Sequence, residues 1–158
     1  MAKHSAGLLM YRRRQGVLEV FLVHPGGPLW ARKDLGSWTI PKGEFIAAED
    51  PLAAARREFA EETGLPAAGP FLALTPIRQP SGKTIQAWAF PGDCDARAIR
   101  SNTFAMEWPP RSGQQEIFPE VDRAEWFQVD LAKDKIIKGQ VGFLEELQRL
   151  LPGNEQRS

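Results

Sequence analysis

The sequence predicts an α/β domain of the α+β kind: a mixed β-sheet with a few helices covering it. Three observations carry this expectation. Short runs rich in β-branched and aromatic residues alternate with glycine- and proline-rich breaks. A helix with complete end signals stands in the middle of the chain, and an amphipathic helix closes it. Strands interleaved with few helices must bury one sheet face under each helix layer.

The elements follow in order. "SAGLLMY" (5–11) and "VLEVFLVH" (17–24) read as a hairpin, with Gly16 supplying the turn after "RRRQ". "PGGPLWARKDLG" (25–36) is a loop, "SWTI" (37–40) a brief strand and "PKGEFIAAED" a second loop. A helix is predicted from Pro51 to Thr63. Asp50 suits the N-cap, Pro51 the first helical position and Gly64 a left-handed C-cap, and Pro66 prevents continuation. "FLALTPIRQ" (71–79) and "KTIQAWAFP" (83–91) form a second hairpin around "PSG". Residues 92–118 read as one irregular, proline-containing loop, a candidate substrate wall. "RAEWFQV" (123–129) is the last strand, and 140–151 a helix with Phe143, Leu144, Leu147 and Leu151 on one side. With no repeat or linker and 42% hydrophobic residues, residues 1–158 are expected to form a single domain.

Composition excludes several function classes. Twenty acidic residues balance twenty basic ones, so no global field draws the chain onto nucleic acid or anionic lipid, and no stable nucleic-acid complex is expected. Affinity for phosphate must be local. One cysteine, Cys94, allows no internal disulfide, and no Cys/His spacing suits zinc. The apolar run near the N-terminus is too short for a membrane span or signal segment, so a cytoplasmic, membrane-free setting is expected. "SGKT" (81–84) ends like a phosphate-binding P-loop, but the first glycine of that motif would fall at Ile77 and a strand follows. His4 and His24 are too isolated to suggest a histidine mechanism.

The informative stretch is "RREFAEETG" (56–64). At roughly 100° per residue, Glu61 and Glu62 lie about one turn beyond Glu58, to either side of it. All three border the apolar stripe of Leu52, Ala55 and Phe59. Like charges at these spacings oppose the helix, more so when partly desolvated. A hydrated divalent cation would compensate them, and the small Ala54 one turn earlier leaves space for it.

The longer stretch from Gly43 to Leu65, "GEFIAAEDPLAAARREFAEETGL", resembles the signature of the Nudix hydrolase family. Gly43, Glu49, Arg57, Glu58, Glu61, Glu62 and Gly64 match it in register. Phe59 stands where an aliphatic residue is more usual, which concerns packing and not chemistry. The resemblance implies a loop-helix-loop on a mixed sheet sandwiched by helices, and hydrolysis of a nucleoside diphosphate linked to another group with Mg²⁺ or Mn²⁺. It implies Glu58, Glu61 and Glu62 as metal ligands, with the Gly43 carbonyl beside them. Arg57, paired with Glu49, would orient the glutamates. Glu58 and Glu61 are inherited candidates for the base. Many members draw that group from a distal loop, where Glu116 is the first choice here and Glu120 the second.

Substrate contacts are less defined. Lys42, in a "PKG" segment similar to that of diadenosine and diphosphoinositol polyphosphate hydrolases, would hold an outlying phosphate as a point charge. Trp30, Trp38, Phe45, Trp88 and Trp108 include possible base-stacking surfaces, with Trp38 and Phe45 nearest the signature. Arg111 in the long loop is a further phosphate contact. The resemblance points first to a dinucleoside polyphosphate such as diadenosine tetraphosphate. Cleavage of oxidised or non-standard nucleoside triphosphates is the alternative, with ADP-ribose and inositol pyrophosphates behind it. A non-catalytic nucleotide sensor belongs to another class, and normally shows eroded glutamates where these are intact.

Overall fold

The computed structural model describes residues 3–151, so the extreme ends of the expected 1–158 domain lie outside the described residues. Its main sheet runs β4 (Leu72–Ala73), β6 (Thr84–Pro91), β1 (His4–Arg14), β2 (Val17–Pro25), β9 (Val121–Gln128), with β3 (Lys42–Glu44) added to β1 and β5 (Ile77–Arg78) to β6. β1 and β2 are the predicted hairpin, turned at Gln15 and Gly16, both with positive φ. β1 pairs parallel to β6, so the sheet is mixed.

Period-two alternation sends β1 and β2 side chains to two separate cores. Leu8, Met10, Phe21 and Val23 face α1 (Pro51–Thr63), packing on Ala54, Ala55 and Phe59. Leu9, Val20 and Leu22 face the other side, under α2 (Val129–Lys135) and α3 (Val141–Leu150), with Phe143, Leu144 and Leu147. Phe59 is fully buried between Phe21 and Phe90, with ring centroids 6.3 and 5.4 Å away. The aromatic residue at this position therefore fills an aromatic core.

The end signals of α1 act as expected. The Asp50 carboxylate accepts from the Ala53 N–H at 2.9 Å, and Gly64, at φ 76°, donates its N–H to the Ala60 carbonyl. A Cβ at Gly64 would lie 2.9 Å from the Arg100 carbonyl oxygen. Gly64→Ala is therefore expected to destabilise the fold by about 2 kcal/mol, combining left-handed strain with that contact. A lower urea midpoint at unchanged slope would show it.

Three expectations need correction. "SWTI" is not a strand: single bridges join Thr39 to Val23 and Trp38 to Ile136, because its backbone bonds reach α2. Residues 92–118 are not one irregular loop. They contain a 3-10 turn (Ala96–Ala98), β7 (Thr103–Glu107) and the first part of β8 (Gln115–Pro119), and β7 and β8 pair into a separate hairpin. Ala54 does not open a space above the glutamates; it is fully buried and lets α1 approach β1 closely.

Candidate active site

The site is assembled where β3, α1 and the β7–β8 hairpin meet. β3 lies antiparallel to β1, with Gly43 opposite Ala6. A Cβ on Gly43 would overlap the Glu58 carboxylate, so glycine here lets that carboxylate stay where Arg57 holds it. Arg57 grips Glu49 with two bonds, Nε to Oε2 at 2.9 Å and Nη2 to Oε1 at 3.1 Å. Its Nη1 reaches Glu58 Oε2 at 2.7 Å and Glu61 Oε2 at 3.5 Å. One guanidinium thus spans three carboxylates, and a bidentate grip fixes its plane. Glu49 and Glu58 hold the Arg57 charge firmly in place.

The hairpin is docked by backbone bonds. Arg100 and Asn102 donate their N–H groups to the carbonyls of Thr63 and Glu61, both at 2.8 Å, satisfying orphan acceptors at the end of α1. Glu120 donates its N–H to Asn102 and accepts from Gly26, at 2.8 and 2.9 Å. Glu120 is thereby pinned beside the glutamates. Burial raises its carboxyl pKa, and the Glu61 charge adds to the effect.

Glu58 is also raised, by burial first, with the Arg57 bond opposing and the charges of Glu61 and Glu120 adding. Glu62 is pushed up to about 8, chiefly by burial, against the attraction of Lys42. The Lys42 N–H donates to Glu62 Oε1 at 3.3 Å, and burial lowers its ammonium pKa, with Lys83 adding repulsion. Lys42, Glu62 and Glu120 line one cleft of about 230 Å³, together with Trp30 and Val121. A larger cavity of about 560 Å³ lies along β9 and the 96–98 turn and contains none of the signature residues.

The Glu62 shift has a measurable sign. Its folded pKa of about 8 stands above the ordinary 4.5, so its contribution to stability is present below about 4.5 and lost as pH rises through 8. In chelator, Glu62→Gln is expected to leave stability at pH 5 nearly unchanged and to raise it at pH 9 by roughly 2–4 kcal/mol. Thermal melts at the two pH values check this; a variant less stable at pH 9 would contradict it.

Several sequence-predicted residues lie elsewhere. Trp38 is only 1% exposed, its Nε1–H donated to Asp34 and its ring edge-on to Phe127, so it offers no face to a base. Glu116 sits on β8 opposite Met106, and the carboxylate beside Glu58, Glu61 and Glu62 is Glu120. Arg111 is exposed in the turn between β7 and β8, at φ 63°. Phe45 is half-buried against the α1-side core and the His4 ring. Sequence reasoning passed over Phe104 and Met106, although apolar residues at i and i+2 before "PPRSG" carried a strand-and-turn signal.

Among the described residues no three acidic, histidine or cysteine side chains converge as a finished metal cage. The donor chemistry nevertheless fits a hard cation. Glu58, Glu61, Glu62 and Glu120 offer only oxygen, and three of the four, Glu58, Glu62 and Glu120, are pushed toward the neutral form by burial. Magnesium completes its shell with waters and substrate oxygens, so a partial protein cage suits it.

The architecture is thus a mixed sheet between helix layers, with an acid-bearing loop-helix-loop on its surface. The chain belongs to the Nudix family: the family model for the NUDIX domain matches residues 1–147. No curated protein matches the sequence. Among solved structures it is similar to a C. elegans Ap4A hydrolase binary complex, at 19% identity and TM-score 0.65, covering 94% of this chain and 97% of the other. It is also similar to the NUDIX domain of Shewanella oneidensis NrtR complexed with ADP ribose, at 15% identity, TM-score 0.64 and 96% and 90% coverage. MutT from Aliivibrio salmonicida and Vibrio cholerae gives 16% identity, TM-score 0.56 and 92% and 94% coverage. Among the described residues no helix is long and apolar enough to cross a membrane.

Proposed function

We propose that this chain is a Mg²⁺- or Mn²⁺-dependent pyrophosphohydrolase whose substrate is a dinucleoside polyphosphate of the diadenosine tetraphosphate type. The observation that carries the reading is the shared cleft of Lys42, Glu62 and Glu120, lying against the Arg57-bound Glu58 and Glu61. Glu58, Glu61 and Glu62, with the Gly43 carbonyl, would hold the metal. When bound, the metal neutralises phosphate oxygens and makes coordinated water more acidic. Arg57 keeps Glu58 and Glu61 aligned through its anchor on Glu49. Lys42 holds an outlying phosphate, a role that favours a polyphosphate chain over a single anhydride. Glu120 takes the place first given to Glu116 as the distal carboxylate, and its raised pKa suits acceptance of the water proton nearer neutral pH. The similarity in fold to Ap4A hydrolase supports the dinucleoside reading, and that to MutT keeps nucleoside triphosphates as the alternative.

The test is a substrate panel with Mg²⁺ and Mn²⁺, run in ¹⁸O-labelled water to locate the attacked phosphorus. The expected result is a kcat/KM for diadenosine tetraphosphate at least tenfold above that for any nucleoside triphosphate. Preference for an oxidised triphosphate would select the alternative. Equal, weak turnover of every nucleotide would remove the dinucleoside reading.

A further inference from the structure

A second cavity, of about 220 Å³, opens between the 26–30 loop and β7, lined by Gly26, Gly27, Leu29, Trp30, Phe104 and Met106 along with Pro28. No charged side chain lines it. Trp30 is also a wall of the cleft that holds Lys42, Glu62 and Glu120, so the apolar cavity and the acidic cleft adjoin through one indole. We propose that this cavity is the nucleobase subsite: it takes the planar heteroaromatic end of the substrate, with Trp30 as the stacking surface between base and phosphates.

The cavity is built for a flat ring. Gly27, at φ 95°, carries no side chain to fill it, and a Cβ there would come within 2.9 Å of the Phe104 ring. The loop is held by the Trp30 N–H to the Gly27 carbonyl at 3.3 Å and the Lys33 N–H to the Trp30 carbonyl at 3.0 Å. Lys33 Nζ sits 5.1 Å from the indole centroid. On the other wall, β7 alternation puts Phe104 and Met106 on one face, and Phe118 supports Phe104 with centroids 6.0 Å apart. The register places Glu116 opposite Met106 but outside the lining of the cavity, which stays uncharged.

Size and lining select the occupant. Sites that bury a whole drug-sized ligand run to roughly 300–1,000 Å³, so this cavity suits one ring system and not a complete nucleotide. Phosphate would be stripped of water against apolar walls, whereas a base gains stacking on an aromatic face whatever its identity. Leu29, 62% exposed at the rim, is then covered by the ligand. The inference rests on the proposed anhydride-cleaving function for what enters the adjoining cleft.

The test compares binding of the α,β-methylene analogues of ATP and GTP with that of inorganic tripolyphosphate, by calorimetry on the full chain with Mg²⁺. Wild type should bind at least one nucleotide analogue more tightly than tripolyphosphate. Trp30→Ala should weaken that nucleotide about tenfold to hundredfold, Trp30→Phe should recover part of the loss, and tripolyphosphate should stay within twofold in both. Met106→Ala should weaken the nucleotide less than Trp30→Ala does. The proposal is overturned if wild type shows no preference for a nucleotide. It is equally overturned if Trp30→Ala keeps nucleotide affinity within twofold, or loses tripolyphosphate in parallel. Should wild type hydrolyse none of the natural nucleotides while the Trp30 effect stands, the hydrolase reading fails and the base subsite holds.

Discussion

Glu58→Gln is expected to lower kcat by about 10³-fold or more on the best substrate while leaving the fold intact. Glu58 is the most constrained member of the cluster: Arg57 holds it at 2.7 Å, Gly43 lies against its carboxylate, and Glu61 and Glu120 bear on it electrostatically. The amide keeps the shape and removes the charge that a metal at a phosphate site requires. Stability should move the other way. Burial already disfavours the ionised form, so the neutral variant is expected to melt at or above the wild-type temperature in chelator. Activity and melting temperature measured together separate lost chemistry from lost structure. Turnover surviving within a few-fold would show that Glu58 is not a metal ligand.

Gly43→Ala is expected to reduce kcat/KM by about a hundredfold, through geometry and not charge. The added methyl group would occupy the position of the Glu58 carboxylate, so either β3 retreats or the side chain rotates off Arg57. A displacement near 1 Å in a catalytic group costs about this much rate. Because the damage acts through Glu58, the double variant with Glu58→Gln should be no slower than Glu58→Gln alone. Additive losses would place the effect of Gly43 elsewhere.

How far the sequence revealed all this depends on where each signal lives. The helix at 51–63 was legible residue by residue because caps are local: Asp50, Pro51 and Gly64 act within one turn of themselves. Strands β1, β2, β6 and β9 were legible from short apolar runs, since each supplies a core face. "SWTI" misled because its partners, Val23 and α2, are distant, and its Trp38 satisfies a core that only tertiary packing creates. The 92–118 stretch misled for a related reason. β7 and β8 are a hairpin with one half-buried face and a wide, polar, proline-rich turn, so its alternation is faint. The carboxylate cluster was readable from spacing, while the choice of Glu120 over Glu116 depended on a chain of backbone bonds that spacing does not encode.

That chain of bonds bears on how such a protein changes over evolutionary time. From Glu61 through Asn102 and Glu120 to Gly26, every link is a peptide N–H donated to a peptide carbonyl. Peptide groups are the same whatever side chain they carry, so the hairpin keeps its seat while its outward residues drift. Gly26 is the exception, since a Cβ there would collide with the Pro119 carbonyl. A lineage can therefore rewrite Phe104, Met106 or Glu116 one at a time without unseating the glutamate cluster. With the proposed base subsite on that hairpin, new substrates become reachable by single mutations, each of which leaves a folded intermediate.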